Sequence, residues 1–184
     1  GTFLIEDVKA IFSQDVPGCT DSLAYNYNPE ATLDDGSCYS VVDVTFNLDM
    51  SSEQGYTSSD QPYLAGGSFF NLPGNPLYAL DYNESLSVEG ALVFSKTVQM
   101  RENTNFNYTY TKDGSTNWST KENIADQFCA DVGNYNDRDL TTTSSDTVIN
   151  ACYASCTDNE FCSNINYVDL TFSVNMEDVD IINN

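Results

Sequence analysis

Six cysteines are the residues of this sequence with the most distinctive chemistry, and no histidine accompanies them. Six thiols can form three disulfides in an oxidising compartment, or they can bind zinc as thiolates. No two cysteines have the CxxC spacing, and their separations do not match those of zinc ribbons. We therefore expect disulfides, although six cysteines allow fifteen pairings. The residues concerned are Cys19, Cys38, Cys129, Cys152, Cys156 and Cys162.

The absence of histidine limits the catalytic chemistry that the chain can perform. Histidine is the commonest acid–base residue at neutral pH and a common metal ligand, so triads with His, Cys–His pairs and His-ligated zinc are excluded. A glycosidase needs two carboxylates that face each other across a cleft. Acidic residues are abundant, but none stands in a recognisable catalytic motif. We expect the protein not to be an enzyme.

Carboxylates dominate the charge, with 28 Asp and Glu against six Lys and Arg and a formal net charge of -22. Nucleic acid is excluded as a partner because phosphate binding needs clustered cations. No apolar run has the length of a membrane-spanning helix, so membrane insertion is not expected. Asp21, Asp34 and Asp35 offer hard oxygen ligands for calcium, the one cofactor considered. The same residues could instead form turns, and the EF-hand spacing is absent.

The sequence contains an internal repeat that predicts β-strands as the main structural elements. Residues 42–50, VDVTFNLDM, recur as residues 168–176, VDLTFSVNM. Both copies alternate apolar and polar side chains, which predicts a strand with one buried face. The chain therefore holds one whole repeat and the first strand of a second. The apolar face of the second copy consists of Val168, Leu170, Phe172, Val174 and Met176.

Shorter β-type patterns lie between the two copies. They fall near residues 63–67, 92–100, 105–111 and 146–152 and are separated by loop-forming sequences. Several short strands with turn signals predict an all-β protein built as an antiparallel β-sandwich. The polar residues 131–145 predict a long loop. Residues 2–12 fit a short helix or an extended arm, and the arm is favoured because so short a helix is marginal alone.

The first cysteine pair lies in a recognisable motif. Residues 18–38 read GCTDSLAYNYNPEATLDDGSC. This segment resembles a short module of secreted, multi-module surface proteins from aquatic Bacteroidetes and similar bacteria, with the pattern CTD…A.NYNP.A..DDGSC. The resemblance implies a loop-rich element closed by a Cys19–Cys38 bridge and an extracellular or cell-surface location. Cross-linking a loop of this size contributes about 3 kcal/mol.

The central region carries a second resemblance. Residues 63–71, YLAGGSFFN, and residues 106–114, FNYTYTKDG, are followed by Trp118. They resemble starch-binding-like β-sandwich modules over roughly residues 42–150. In that family an exposed tryptophan after the first motif often stacks on sugar, and Leu72 stands near that place here. If the chain binds glycans, Trp118 is the best candidate platform. Alternatively, Trp118 belongs to the core or its edge.

The cysteine-rich tail resembles the closing segment of such bacterial modules. That resemblance implies the bridges Cys129–Cys152 and Cys156–Cys162. The pairing itself cannot be derived from the sequence.

Five residues are candidates for glycosylation. Asn83, Asn107 and Asn117 each begin an Asn-x-Ser/Thr triplet. Ser22 and Thr147 lie in Asp-Ser-Leu and Asp-Thr-Val, which resemble the sites that Bacteroidetes O-glycosylate. Chance matches are common in a chain so rich in Asp, Ser, Thr and Asn.

These observations predict four parts: an arm (residues 1–17), the disulfide-closed module (18–40), the sandwich repeat (41–162) and the start of a second repeat or a donor strand (163–184). The apolar face of residues 168–176 needs a partner sheet. A strand added to a neighbouring copy makes a contact that does not close, so a filament grows. We expect a glycosylated subunit of an extracellular fibre or repetitive surface protein, with copies of itself as partners. The alternatives are a carbohydrate-binding module of a larger secreted protein and an excised segment of a longer repeat chain.

Overall fold

The computed structural model describes residues 15–162, and strands dominate this part of the chain. The predicted all-β class is confirmed, since the helices are three short turns. The strands are β1 Pro17–Gly18, β2 Leu33–Asp34, β3 Val41–Asp49, β4 Tyr63–Ala65, β5 Asp81–Tyr82, β6 Val93–Arg101, β7 Asn105–Thr111, β8 Ala130–Asp131, β9 Asp137–Thr141 and β10 Thr147–Cys152. The helical turns are α1 Gly67–Phe70 and the 3-10 turns Pro76–Tyr78 and Val132–Asn134.

The first sheet has the strand order β10-β3-β6-β5. All nine residues of β3 pair antiparallel with β6, from Val41 opposite Arg101 to Asp49 opposite Val93. On its other side β3 pairs in parallel with β10. The expectation of a wholly antiparallel fold is therefore wrong at this pair. Since β10 reaches the first sheet from β9 of the second sheet, no hairpin from β3 obliges it to run antiparallel.

The second sheet has the order β4-β7-β9-β8, and all its pairs are antiparallel. The predicted loop over residues 131–145 is wrong in part, because β9 lies within it. Two residues of β9, Asp137 and Arg138, are buried and make ion pairs with Lys121 and Glu122. Buried charges with partners do not show the apolar alternation by which a strand is recognised.

The alternating pattern of residues 42–50 becomes the centre of the core. All five apolar side chains of this segment are buried, as predicted. The Phe46 ring contacts Tyr108 of β7 at 5.2 Å and Phe70 of α1 at 5.7 Å, both edge to face. Aromatic contacts of this geometry add to the free energy of burial. Side chains from both sheets thus share one apolar cluster.

The small sheet of β1 and β2 belongs to the disulfide-closed module, which lies at the Val41 end of β3. Two interactions through Tyr39 hold it there. The Tyr25 N–H donates to the Tyr39 carbonyl at 2.9 Å. The Arg101 guanidinium, at the end of β6, lies 4.9 Å from the centre of the Tyr39 ring.

Two sequence-based predictions fall outside the described residues. They are the N-terminal arm and the assembly strand, residues 168–176. Within residues 15–162, none of the helices has the length and apolar character that a membrane span requires.

Candidate assembly and binding surfaces

The N-terminal module is built from turns and one bridge. The predicted Cys19–Cys38 disulfide is present, with a Cα–Cα distance of 4.7 Å. The carboxylates of Asp21, Asp34 and Asp35 each accept a hydrogen bond from the backbone N–H two residues later, at 2.9–3.0 Å. Hydrogen bonds from Ser37 lower the pKa of Asp35 below its ordinary value. Each carboxylate therefore stabilises its own turn.

These three carboxylates do not converge on one point. In the part of the chain that the structure describes, no three His, Cys, Asp or Glu side chains form a group that could hold a metal ion. The turn interpretation accounts for the hydrogen bonds of Asp21, Asp34 and Asp35. Calcium binding by these residues stays a prediction.

The opposite end of β3 is organised by Asp49, whose side chain is buried. Its Oδ1 accepts hydrogen bonds from the backbone N–H groups of Ser51 at 2.9 Å and Leu92 at 3.0 Å. Its Oδ2 accepts one from the Cys162 N–H at 3.1 Å. A carboxylate is stable in a protein interior only when such donors replace water. Asp49 therefore fixes Cys162 at this end of β3, a role that sequence reasoning missed.

Two disulfides close the same end, and their pairing differs from the predicted one. Cys129 is bonded to Cys156 and Cys152 to Cys162, with Cα–Cα distances of 5.6 and 4.6 Å. The predicted bridges Cys129–Cys152 and Cys156–Cys162 are wrong. The Gln127 side chain accepts from the Cys156 N–H at 2.7 Å and so brings Cys156 beside Cys129. Cys152 ends β10 opposite Asp49, where Cys162 is held.

A buried ion pair supports these disulfides. Arg138 Nε and Nη2 donate to the two Glu122 oxygens at 2.9 and 2.7 Å. Arg138 Nη2 also donates to the carbonyls of Cys152 at 3.1 Å and Ser155 at 3.2 Å. Burial opposes the charge on the guanidinium. The hydrogen bonds and charge of Glu122 outweigh that effect, so the pKa of Arg138 lies above its ordinary value. The pair thus joins β9 to the segment that follows β10.

Trp118 lies at the surface and not in the core. Its side chain is 37% exposed, and its backbone is left-handed, with a φ of 62°. Lys121 connects it to a second aromatic residue: the Lys121 N–H donates to the Trp118 carbonyl at 3.2 Å, and Lys121 Nζ donates to the Tyr135 carbonyl at 2.7 Å. Tyr135 is 89% exposed and also left-handed, with a φ of 57°. Leu72 is exposed as well.

Sequence analysis did not identify Tyr135, since it stands alone in the polar stretch 131–145. Its backbone conformation could not be anticipated, because left-handed residues are usually Gly, Asn or Asp. Tyr135, at 89% exposure, has no packing role, and Trp118 presents part of its surface to solvent. The Trp118 and Tyr135 pair is therefore the best candidate for a ligand surface among the described aromatic residues.

The three Asn-x-Ser/Thr sites differ in access. The Asn83 side-chain nitrogen donates to Ser95 Oγ at 2.9 Å, and that of Asn107 donates to Asp139 Oδ1 at 2.7 Å. Asn117 is exposed, and its side-chain nitrogen makes no hydrogen bond to the described part of the chain. Because N-glycosylation joins the sugar to this nitrogen, Asn117 is the most accessible of the three.

The two O-glycosylation candidates also differ. Ser22 is exposed on the module beside Leu23, which is 90% exposed. Thr147 is half-buried at the start of β10, and its hydroxyl donates to the Ser145 carbonyl at 3.3 Å. The hydroxyl of Ser22 is therefore more accessible to an enzyme than that of Thr147.

Comparison with known proteins gives little. No protein-family model matches the sequence, and no curated protein matches it. Among solved structures, the Glycoside Hydrolase Family 15 glucoamylase from Hypocrea jecorina is similar over 62% of this chain and 17% of its own, with 18% identity and a TM-score of 0.43. The Hormoconis resinae glucoamylase is similar over 64% and 18%, with 15% identity and a TM-score of 0.41. This chain thus spans less than a fifth of either glucoamylase, and similarity at this level does not establish a common function.

Proposed function

We propose that this chain is a structural subunit of an extracellular fibre or repetitive surface protein, whose copies are joined by β-strand donation. The observation that carries the proposal is the placement of the chain at the two ends of β3. The module that precedes β3 lies at its Val41 end, through Tyr39. Cys162, the last described residue, is held at its Asp49 end. A nine-residue strand is about 26 Å long.

This placement suits a linear array. Since the module lies at the Val41 end of β3 and Cys162 is held at the Asp49 end, we infer that a second repeat would begin beyond the Asp49 end. The similarity of residues 168–176 to residues 42–50 supports such a second repeat. Contacts between unlike ends propagate into a filament when the rotation between copies does not close a ring. We infer that the two sheets form an immunoglobulin-like or starch-binding-like β-sandwich, since the core contact of Phe46 with Tyr108 joins them.

The energetic argument for strand donation comes from the apolar face of the second copy. Five apolar side chains that stay in water forgo roughly 1.5–3 kcal/mol each. Their sum is comparable with the whole stability of a small domain, about 5–15 kcal/mol. A sheet edge of another copy would remove this cost and would also pair the backbone.

The proposed location is the cell surface or the medium outside it. Three disulfides lie within residues 15–162, and such bonds persist in oxidising compartments. The disulfides close the subunit at both ends of β3, which suits a fibre exposed to proteases. Glycans at Asn117 and Ser22 would point outward.

Deleting residues from Val168 onward tests the proposal. We expect the full chain to form filaments in negative-stain electron microscopy, and the truncated chain to be a monomer with the same circular dichroism spectrum. Light scattering after size exclusion gives the mass of each. Filaments of the truncated chain would contradict strand donation. A full chain that stays monomeric at high concentration would favour an excised segment of a longer repeat protein.

A carbohydrate-binding module is the second candidate function, and the Trp118 and Tyr135 surface favours it. Lys121 makes hydrogen bonds to the backbone carbonyls of both residues, and an exposed aromatic ring can cover one face of a sugar. We expect Trp118→Ala and Tyr135→Ala each to weaken binding to soluble α-glucans about tenfold in affinity electrophoresis. Tyr27→Ala, an exposed aromatic residue on the module, is the control. If the parent protein binds no member of a polysaccharide panel, this function is excluded.

A further inference from the structure

One long stretch of sheet edge lies open on β6. The inner edge of β6 pairs with β3 along its whole length. On the outer edge β5 pairs only with Phe94 and Ser95. From Lys96 to Arg101 the outer edge has no strand partner among residues 15–162. Open edges of this length are usually protected, because they invite pairing with another chain.

The hydrogen-bond pattern shows which backbone groups are free. Met50 N–H donates to the Leu92 carbonyl, and Glu102 N–H donates to the Ser40 carbonyl. In an antiparallel pair these bonds recur at every second residue, so the even-numbered residues of β6 face β3. Thr97 and Gln99 therefore direct their backbone groups outward, and both side chains are exposed.

The other edges are shorter or covered. Asn159 Oδ1 accepts from the Asn150 N–H at 2.7 Å and so caps the middle of β10. Tyr63 of β4 forms a bridge with Ala79. The edge strand β8 has two residues. Of the edges that the structure describes, β6 offers the longest free run.

Charge also distinguishes this edge. Three of the five Lys and Arg side chains within residues 15–162 are in ion pairs: Lys112 with Glu53, Lys121 with Asp137 and Arg138 with Glu122. The remaining two, Lys96 and Arg101, are both on β6 and have no ion pair in the described part of the chain. In a chain with a net charge of -22, these cations make β6 the edge best suited to an acidic strand.

We propose that the free outer edge of β6, from Lys96 to Arg101, accepts residues 168–174 of a second copy, a proposal that rests on the proposed function. Residues 163–184 contain four acidic residues and no Lys or Arg. Antiparallel pairing with Asp169 opposite Arg101 brings opposite charges together on the outer face. The same register puts Phe172 beside Val98, a core-facing side chain that is only half-buried. This register also puts the apolar side chains of the donor on the core-facing side of the sheet.

Proline substitution tests the edge directly. Gln99→Pro removes an outward N–H and keeps the hydrogen bonds between β3 and β6. Val148→Pro is the matched control, because the outward bond of Asn150 shows that the N–H of Val148 also points away from β3. We expect Gln99→Pro to raise the critical concentration for filament formation at least about tenfold, and Val148→Pro to leave it unchanged. Thermal melting checks that both monomers are folded.

A charge exchange gives a second test that does not depend on proline. Arg101→Glu should raise the critical concentration, and adding Asp169→Arg should restore it. Normal polymerisation of Gln99→Pro, loss of polymerisation in Val148→Pro, or no rescue by the charge exchange would each overturn the β6 assignment. Strand donation would still stand if only the truncation at Val168 abolished filaments. If the full chain never polymerises, the β6 proposal falls together with the proposed function.

Discussion

At the scale of single residues, the notable chemistry of this protein is buried charge without an evident catalytic role. Asp49 satisfies three backbone N–H groups from different segments. Glu122 and Arg138 satisfy each other and further backbone groups. Burying such a charged group without a partner is unfavourable, so each one is paired with donors or acceptors from other segments and thereby joins those segments. All three act on the end of the subunit where Cys162 is held.

Replacing Arg138 tests the importance of this ion pair. Arg138→Leu should lower the free energy of unfolding by about 3–5 kcal/mol, because it leaves the buried Glu122 carboxylate without a counter-charge. Lys112→Leu is the control, since its ion pair with Glu53 is partly exposed and should contribute less than about 1 kcal/mol. Urea unfolding followed by fluorescence measures both. Equal small losses would show that Glu122 finds other donors.

Asp113 gives a prediction about pH. Hydrogen bonds from Ser115, and to a lesser extent Thr120, lower its pKa below the ordinary value of 3.8. A lowered pKa in the folded state adds stability above the unfolded-state pKa, and this contribution is lost as the pH falls through the folded-state pKa. Asp113→Asn should therefore show a shallower fall of the melting temperature below about pH 4. Identical slopes for variant and parent would contradict this.

At the scale of elements, the end of β10 is the most heavily cross-linked part of the fold. The parallel pairing of β10 with β3 puts Cys152 opposite Asp49. Two disulfides then bind the following segment to β10 and to Cys129. No hairpin joins this parallel edge strand to β3. The two disulfides stabilise its position because they reduce the conformational entropy of the unfolded chain.

Removing each bridge should therefore cost stability. Cys129→Ala with Cys156→Ala, and Cys152→Ala with Cys162→Ala, should each lower the free energy of unfolding by about 2–4 kcal/mol. Differential scanning calorimetry compares the two double variants with the parent. Peptide mapping without reduction should recover the 129–156 and 152–162 pairs. A peptide that links Cys129 to Cys152 would contradict the observed pairing.

At the scale of the whole molecule, the dominant property is a strongly acidic charge. A net charge of -22 makes copies repel one another except where cations are placed. Lys96 and Arg101 on β6 have no ion pair within residues 15–162 and mark one such place. In the proposed fibre, charge would therefore favour growth at this edge over side-by-side association.

Added salt should increase lateral association between filaments, because it screens the repulsion between acidic copies. We expect single filaments at low ionic strength and lateral bundles at about 1 M salt, where the screening length is about 3 Å. Turbidity and electron microscopy across a salt series measure the change. Bundling that does not depend on salt would show that surface charge does not control lateral association.

The sequence by itself determined the features that depend on local pattern. The alternation in residues 42–50 located a strand and its buried face, because burial on one side of a strand repeats every second residue. The resemblance of residues 18–38 to a short disulfide-closed module likewise implied the Cys19–Cys38 bridge. The all-β class followed from short strands and turns.

Only the tertiary structure decided what depends on contacts between distant residues. The pairing of Cys129 with Cys156, the parallel direction of β10 and the exposure of Tyr135 all result from the way the two sheets pack. Strand β9 escaped detection because its buried charges are neutralised by partners elsewhere in the chain. The open edge of β6 could not be predicted from the local sequence either, because the whole fold determines which strands pair with it.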